Sequence, residues 1–211
     1  MPNSYFTGLG IFKPIFPLSE KVGFILRQGS YSEKKCTFVR IKFIQMKRIG
    51  LLSDTHAWWD DRYILYFESC DEIWHAGDIG SLEVARRLEA IKPLRAVYGN
   101  IDGQELRAIY PKNQRFTIEG ADVWITHIGG YPGKYDTAVV PEIFRNPPSL
   151  FISGHSHILK VMYDKKLQLL HINPGAAGKY GFHKQRTLVR FSIEEGRFKD
   201  LEVIELADEQ R

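Results

Sequence analysis

Met46-Lys47-Arg48-Ile49-Gly50-Leu51-Leu52-Ser53-Asp54-Thr55-His56 decides how this chain is read. Two cations lead into a short apolar run, Ile49 to Leu52, which stops abruptly at the polar cluster Ser53 to His56. That is the pattern of a buried strand delivering polar side chains into the loop beyond its carboxyl end. Downstream the pattern recurs: Glu72 to His75, Arg95 to Tyr98 and Leu150 to Ser153 each run into a polar loop. Between them Asp60 to Cys70 and Ser81 to Ile91 have helical patterning, the second with Ser81 as its N-cap. Tyr135 to Phe144 is read as a third helix. Strands alternating with helices indicate an α/β fold.

The C-terminal third changes character. Leu159–Tyr163 and Leu167–Ile172 flank Asp164-Lys165-Lys166, and Thr187–Ile193 and Phe198–Leu206 flank Glu194-Glu195-Gly196. Arg115–Ile118 and Val123–Thr126 flank Glu119-Gly120-Ala121. All three read as hairpins. Helical units first and hairpins later imply two sheets packed together with helices outside.

Upstream of Met46 the chain is aromatic, basic and broken by Gly and Pro, with no clear period until Thr37. Residues 1–45 are therefore expected to be an N-terminal extension, with Met46 as an alternative start, and 46–211 the domain. The extension carries seven Lys/Arg (Lys13, Lys21, Arg27, Lys34, Lys35, Arg40, Lys42) against Glu20 and Glu33. The whole chain is +4, so the rest is about −1, and net charge gives little support to a nucleic-acid partner. No run approaches the roughly 20 apolar residues of a membrane span. Cys36 and Cys70 form no metal or redox spacing, and Cys70 reads as a small buried hydrophobe. Lys13, Pro14 and Pro17 interrupt the one stretch resembling a signal peptide, so a cytoplasmic location is expected.

Residues of metal-ligand type follow successive strands: Asp54 and His56, Asp78, Asn100, His127, then His155 and His157. In open α/β sheets, sites form beyond the carboxyl ends of strands, so these seven are expected in one cleft. Mixed imidazole and carboxylate donors suit Mn, Fe, Zn or Ni better than Ca or Mg. Asp78 has two oxygens and could bridge two cations. Gly77 and Gly154, before Asp78 and His155, allow close backbone approach. His75, His171 and His183 are read as structural histidines.

The ordered set Asp-x-His, Gly-Asp, Gly-Asn-x-Asp, His, Gly-His-x-His resembles the calcineurin-like metallophosphoesterase superfamily. With the Asn173-Pro174-Gly175 turn and the hairpins, the resemblance covers Met46 to Leu206. The compact size resembles its small prokaryotic phosphodiesterase branch, related in fold to a retromer subunit. It implies a four-layer α/β/β/α sandwich of two mixed sheets flanked by helices. It also implies one metal on Asp54, His56, Asp78 and His157 and a second on Asp78, Asn100, His127 and His155, with Mn the leading candidate. The implied reaction is hydrolysis of a small-molecule phosphodiester by a hydroxide bridging two divalent cations about 3.5–4 Å apart. Asp54, Asp78, Asn100 and His127 are its central residues. Where the wider pattern has His after Asn, this chain has Ile101, which cannot protonate a leaving oxygen; this favours diesters over phosphoprotein monoesters.

Two rival readings accompany that one. The first is a non-catalytic protein-binding scaffold, because the related retromer subunit keeps the fold and binds proteins. The second is a nuclease, for which Arg86, Arg87, Lys92 and Arg95 form a small basic run. A homodimer is left open. Asp102 is either a residue supporting the ligands or a cap for a helix over Gln104–Ile109. Trp58-Trp59 and Gly129-Gly130-Tyr131-Pro132-Gly133 either face substrate or serve packing and chain reversal.

Overall fold

The computed structural model describes residues 46–207. The expected extension at 1–45 lies outside the described residues. The first strand, β1 (Met46–Leu52), pairs in parallel with β2 (Glu72–His75), which pairs in parallel with β3 (Leu94–Ala96). On the other side of β1 comes the antiparallel hairpin β11 (Arg186–Glu194) and β12 (Arg197–Leu206), giving the order β12-β11-β1-β2-β3. A second mixed sheet has the order β4-β5-β8-β10-β9, built from β4 (Asn113–Ile118), β5 (Ala121–Thr126), β8 (Leu150–Ile152), β9 (Leu159–Asp164) and β10 (Leu169–Pro174). Its middle strands β5, β8 and β10 are parallel, with antiparallel strands at both edges.

Alternation along the strands explains the layering. In β1, Ile49 and Leu51 point into the core between the sheets, where they meet Val123, Ile125, Leu150, Ile152 and Ile172 of the second sheet. Leu52 points the other way, into a core formed with helices α1 (Arg62–Phe67) and α2 (Leu82–Ile91) through Tyr63, Phe67, Val84 and Leu88. α3 (Gln104–Ile109) adds Leu106 to that layer. The outer face of the second sheet is covered by α4 (Val140–Arg145), whose Ile143 packs with Trp124, Phe151 and Leu169. This is the expected α/β/β/α sandwich. Trp74 locks its middle, with its ring edge-on to Phe116 of the second sheet (5.2 Å) and Phe191 of the first (5.7 Å). Edge-to-face pairs of this kind add about 0.5–1.5 kcal/mol beyond the area they bury.

Local chemistry accounts for the element boundaries. Ser81 caps α2 by accepting from the Val84 N–H at 3.3 Å. The Glu119-Gly120 and Glu195-Gly196 pairs have positive φ throughout, as tight hairpin turns require. Two expectations need correction. The helix read over Tyr135–Phe144 starts only at Val140, because Lys134–Tyr135 (β7) pairs back on Gly130–Tyr131 (β6) as a short ribbon. Pro141 then opens the helix, where its missing N–H costs nothing. The helix read over Asp60–Cys70 spans only Arg62–Phe67.

Candidate metal centre

The parallel strands of both sheets aim their carboxyl ends at one cleft, and the predicted residues arrive there from five loops. Asp54, His56 and His157 bring one donor atom each within 4.8 Å of one another, and Asp78, His127 and His155 form a second such group. Asn100 joins the second, its Oδ1 3.1 Å from His127 Nε2. Asp78 lies between the groups: Oδ2 is 3.7 Å from His56 Nε2 and Oδ1 is 3.3 Å from His127 Nε2.

Five of these residues pay a conformational penalty to point inward. Asp54, His56, Asp78, His155 and His157 have φ between 47° and 67°, a left-handed region that costs an L-residue roughly 1–2 kcal/mol. Strain of this kind clustered at one cleft marks a functional site. Two glycines make the crowding tolerable. A Cβ on Gly99 would strike Asp78 Oδ1, and one on Gly154 would strike Ser53 Oγ and come within 3.0 Å of Asp54 Oδ2.

The polar atoms in the cleft fit cations. Asp54 Oδ1 is buried without a hydrogen-bond donor. It faces His157 Nε2 at 3.3 Å, and His157 Nε2 in turn lies 3.2 Å from His56 Nε2. Leaving a buried carboxylate oxygen unpaired is expensive, so a site with this shape calls for a positive ion. In the second group, His127 Nδ1 donates to the Ala76 carbonyl at 2.8 Å. In the neutral ring Nε2 is then a bare acceptor facing two more acceptors, Asn100 Oδ1 and Asp78 Oδ1.

Ionisation follows from the same contacts. Burial lowers the His56 pKa despite the nearby carboxylates, favouring the neutral form that can donate a lone pair. Burial opposes ionisation of Asp78, but His127 and the Ile101 N–H at 3.1 Å outweigh it and hold its pKa low. Burial likewise opposes protonation of His127, yet Asp78 and Asp54 raise its pKa overall.

The supporting contacts are only partly visible in the sequence. Asp102 is buried and does not cap α3, whose N-cap is Gly103. Its Oδ1 accepts from the Gly80 N–H (2.7 Å) and its Oδ2 from the Gly99 (2.8 Å) and Ile79 (3.2 Å) N–H groups, tying the Asp78 loop to the Asn100 loop. His75, read as structural, links loops too: Nδ1 accepts from the Gly77 N–H at 3.1 Å, so Nε2 donates to Thr55 Oγ1 at 3.0 Å, and that hydroxyl donates to the Ile79 carbonyl. Asn173 steadies the histidine turn by donating to the Gly154 carbonyl (2.8 Å) and Ser156 Oγ (3.1 Å). His183, also set aside, touches His157, with Nδ1 to Nδ1 at 3.3 Å, and anchors its own Nε2 on the Gly178 carbonyl at 3.0 Å.

Not every expected residue reaches the cleft. Trp59 packs edge-on to Tyr63, and Lys179 lies over the Trp58 ring, so neither lines the cavity at the metal-ligand groups. Gly129, Gly130 and Tyr131 border a neighbouring hollow that shares His155 and Ser156 with it. In the basic run, Arg87 covers Trp59 and pairs with Glu83, while Arg95 pairs with Glu72. Among the described residues, no helix is long and apolar enough to cross a membrane.

Comparison with known proteins agrees with this architecture. A solved vacuolar protein sorting 29 from Cryptosporidium parvum superposes with a TM-score of 0.59 at 15% identity, over 77% of this chain and 99% of its own, a likeness of fold. An archaeal phosphodiesterase structure superposes with a TM-score of 0.58 at 26% identity, over 75% of this chain and 99% of its own. A protein of Methanothermobacter thermautotrophicus (strain Delta H) described as a probable metallophosphoesterase is 30% identical over 138 residues, covering 61% of this chain and 76% of that protein. The sequence profile of the calcineurin-like phosphoesterase superfamily domain matches residues 46–196, spanning both candidate ligand groups and every strand but β12. The chain belongs to the calcineurin-like phosphoesterase superfamily.

Proposed function

We propose that this protein is a metal-dependent phosphodiesterase that holds two divalent cations side by side, with Mn²⁺ the favoured ion. The observation that carries the reading is the pair of adjoining donor groups with Asp78 between them. Asp54, His56 and His157 would hold one cation, His127, His155 and Asn100 the other, and Asp78 would serve both. When bound, the cations supply Lewis acidity toward phosphoryl oxygens and lower the pKa of a nearby water toward neutrality.

The chain itself contributes preorganisation. The backbone N–H groups on Asp102, the His75–Thr55 link and the Asn173 amide hold the loops so that the donors need not reorganise during the reaction. Hydrolysis forms one P–O bond from water and breaks the ester P–O bond, and the departing alkoxide must be stabilised or protonated. Ile101 faces the cleft and cannot protonate it. Loss of a general acid costs about 10²- to 10⁴-fold, so diesters with acidic alcohols should turn over best.

The test uses metal-stripped protein to which Mn²⁺, Ni²⁺, Zn²⁺ or Mg²⁺ is returned, assayed on an aryl phosphodiester and the matching monoester. Metal-dependent diester hydrolysis that collapses in Asn100→Ala is expected, with slower monoester turnover. Folded protein inactive with every metal would instead support a protein-binding scaffold.

A further inference from the structure

The cavity at the donor groups, about 400 Å³, has an unusual rim. Beside His56, Asp78, Asn100, His155 and His157 it is lined by Ile101, Ile158, Tyr180 and Phe182. All four are large, apolar and open to solvent: Ile158 is 60% exposed, Tyr180 72% and Phe182 wholly so. Single exposed apolar side chains are ordinary on a protein surface. Four arriving from three separate loops at the mouth of one polar cleft form a patch that calls for an occupant. The Tyr180 ring lies 5.1 Å from that of His56.

The rim's chemistry selects what can sit there. Among the described residues, no Lys or Arg lines this cavity, so its described rim offers no side-chain cation to a second phosphate. It offers two aromatic rings and two branched aliphatic side chains, surfaces that a flat ring covers well. We infer that this rim seats a flat, uncharged ring attached to the phosphate, either a simple aryl group or a nucleobase, so that the substrate is an aryl- or nucleoside-type phosphodiester. The inference rests on the phosphodiesterase reading, which places the phosphate at the donor groups immediately below. A ring there would cover Phe182 and Ile158 and add binding that an open-chain polar alcohol cannot supply.

Competitive inhibition isolates this contact from leaving-group chemistry. With Mn²⁺-loaded full-length protein turning over an aryl phosphodiester, the Ki values of phenylphosphonate, methylphosphonate and thymidine 5′-monophosphate are measured with each ligand fully ionised. Phenylphosphonate is expected to bind about tenfold or more tightly than methylphosphonate, and in Phe182→Ser and Ile158→Ser that ratio should fall toward one. Both side chains are exposed, so the variants should fold. Thymidine monophosphate binding more tightly than phenylphosphonate would identify a base as the ring, and weaker binding would identify a simple aryl group. Equal Ki values in wild type, or a preference for phenyl that survives both substitutions, would overturn the inference and leave the rim as a surface for a protein partner. Failure of every phosphonate to inhibit, or absence of metal-dependent turnover, would instead undermine the phosphodiesterase reading itself.

Discussion

Asp102 is the residue whose removal most sharply separates a scaffold of loops from a mere helix start. Its carboxylate accepts three backbone N–H groups, from Gly80, Gly99 and Ile79, at 2.7, 2.8 and 3.2 Å. In Asp102→Ala all three lose their acceptor. Gly80 is exposed and regains water, whereas Gly99 and Ile79 are buried. Each orphaned buried donor costs about 1–3 kcal/mol, so the expected loss is about 2–6 kcal/mol, a large part of a typical domain's stability. Asp102→Asn can keep its one accepting oxygen on the two buried donors, Gly99 and Ile79, and should lose less. Because the same contacts hold the Asp78 and Asn100 loops together, metal affinity should fall with stability, by about 10- to 100-fold as is typical for residues that orient ligands. Urea unfolding of the metal-free protein and Mn²⁺ titration in competition with a chelator report the two effects separately. If Asp102→Ala costs under about 1 kcal/mol and leaves Mn²⁺ affinity unchanged, Asp102 does not hold the loops together.

Other predictions follow from single contacts. Gly99→Ala should weaken binding of both cations, because the new methyl meets Asp78 at Oδ1 and at its backbone nitrogen and must displace the carboxylate between the two groups; unchanged Mn²⁺ binding by the folded variant would show that the loop yields freely. His183→Ala should weaken metal binding about tenfold, since the ring that orients His157 through Nδ1 is gone, and chelator competition would detect it. Burial, together with the Lys160 charge, lowers the His171 pKa from 6.5 to about 4. The unfolded chain therefore binds a proton below pH 6.5 that the folded protein refuses until about pH 4. Stability should fall through that window by up to about 3 kcal/mol from this group and stay level above it. His171→Gln should lack that share of the slope, and parallel pH profiles for the two proteins would refute the assignment.

The candidate ligand positions could be read from sequence because each stands in the loop after a strand whose apolar run ends abruptly, as Leu52 gives way to Ser53-Asp54 and Ile152 to Ser153-Gly154-His155. Two of the hairpins were equally plain, since their positive-φ turns select Gly120 and Gly196. What local pattern cannot reveal is a partner far away in sequence. His75 finds Thr55 across 20 residues and His183 finds His157 across 26, and nothing in their neighbours signals either contact. Asp102 had two readings because a residue just ahead of a helix is a natural cap; only the pairing of its oxygens with Ile79, Gly80 and Gly99 decides between them. The stretch from Tyr135 to Val139 misled because apolar spacing alone does not show that Tyr135 is already engaged with Gly130 in a ribbon. Exposed Tyr180 and Phe182 gave no warning at all, because exposure is a property of the folded chain.

Electron paramagnetic resonance of the Mn²⁺-loaded protein would show whether the cleft holds two cations as neighbours sharing Asp78. Two equivalents of Mn²⁺ per chain should give an exchange-coupled spectrum in wild type, which Asp78→Ala replaces by signals of isolated Mn²⁺ with reduced stoichiometry. A wild-type protein that binds one equivalent, or two with no coupling between them, would contradict the two-cation account.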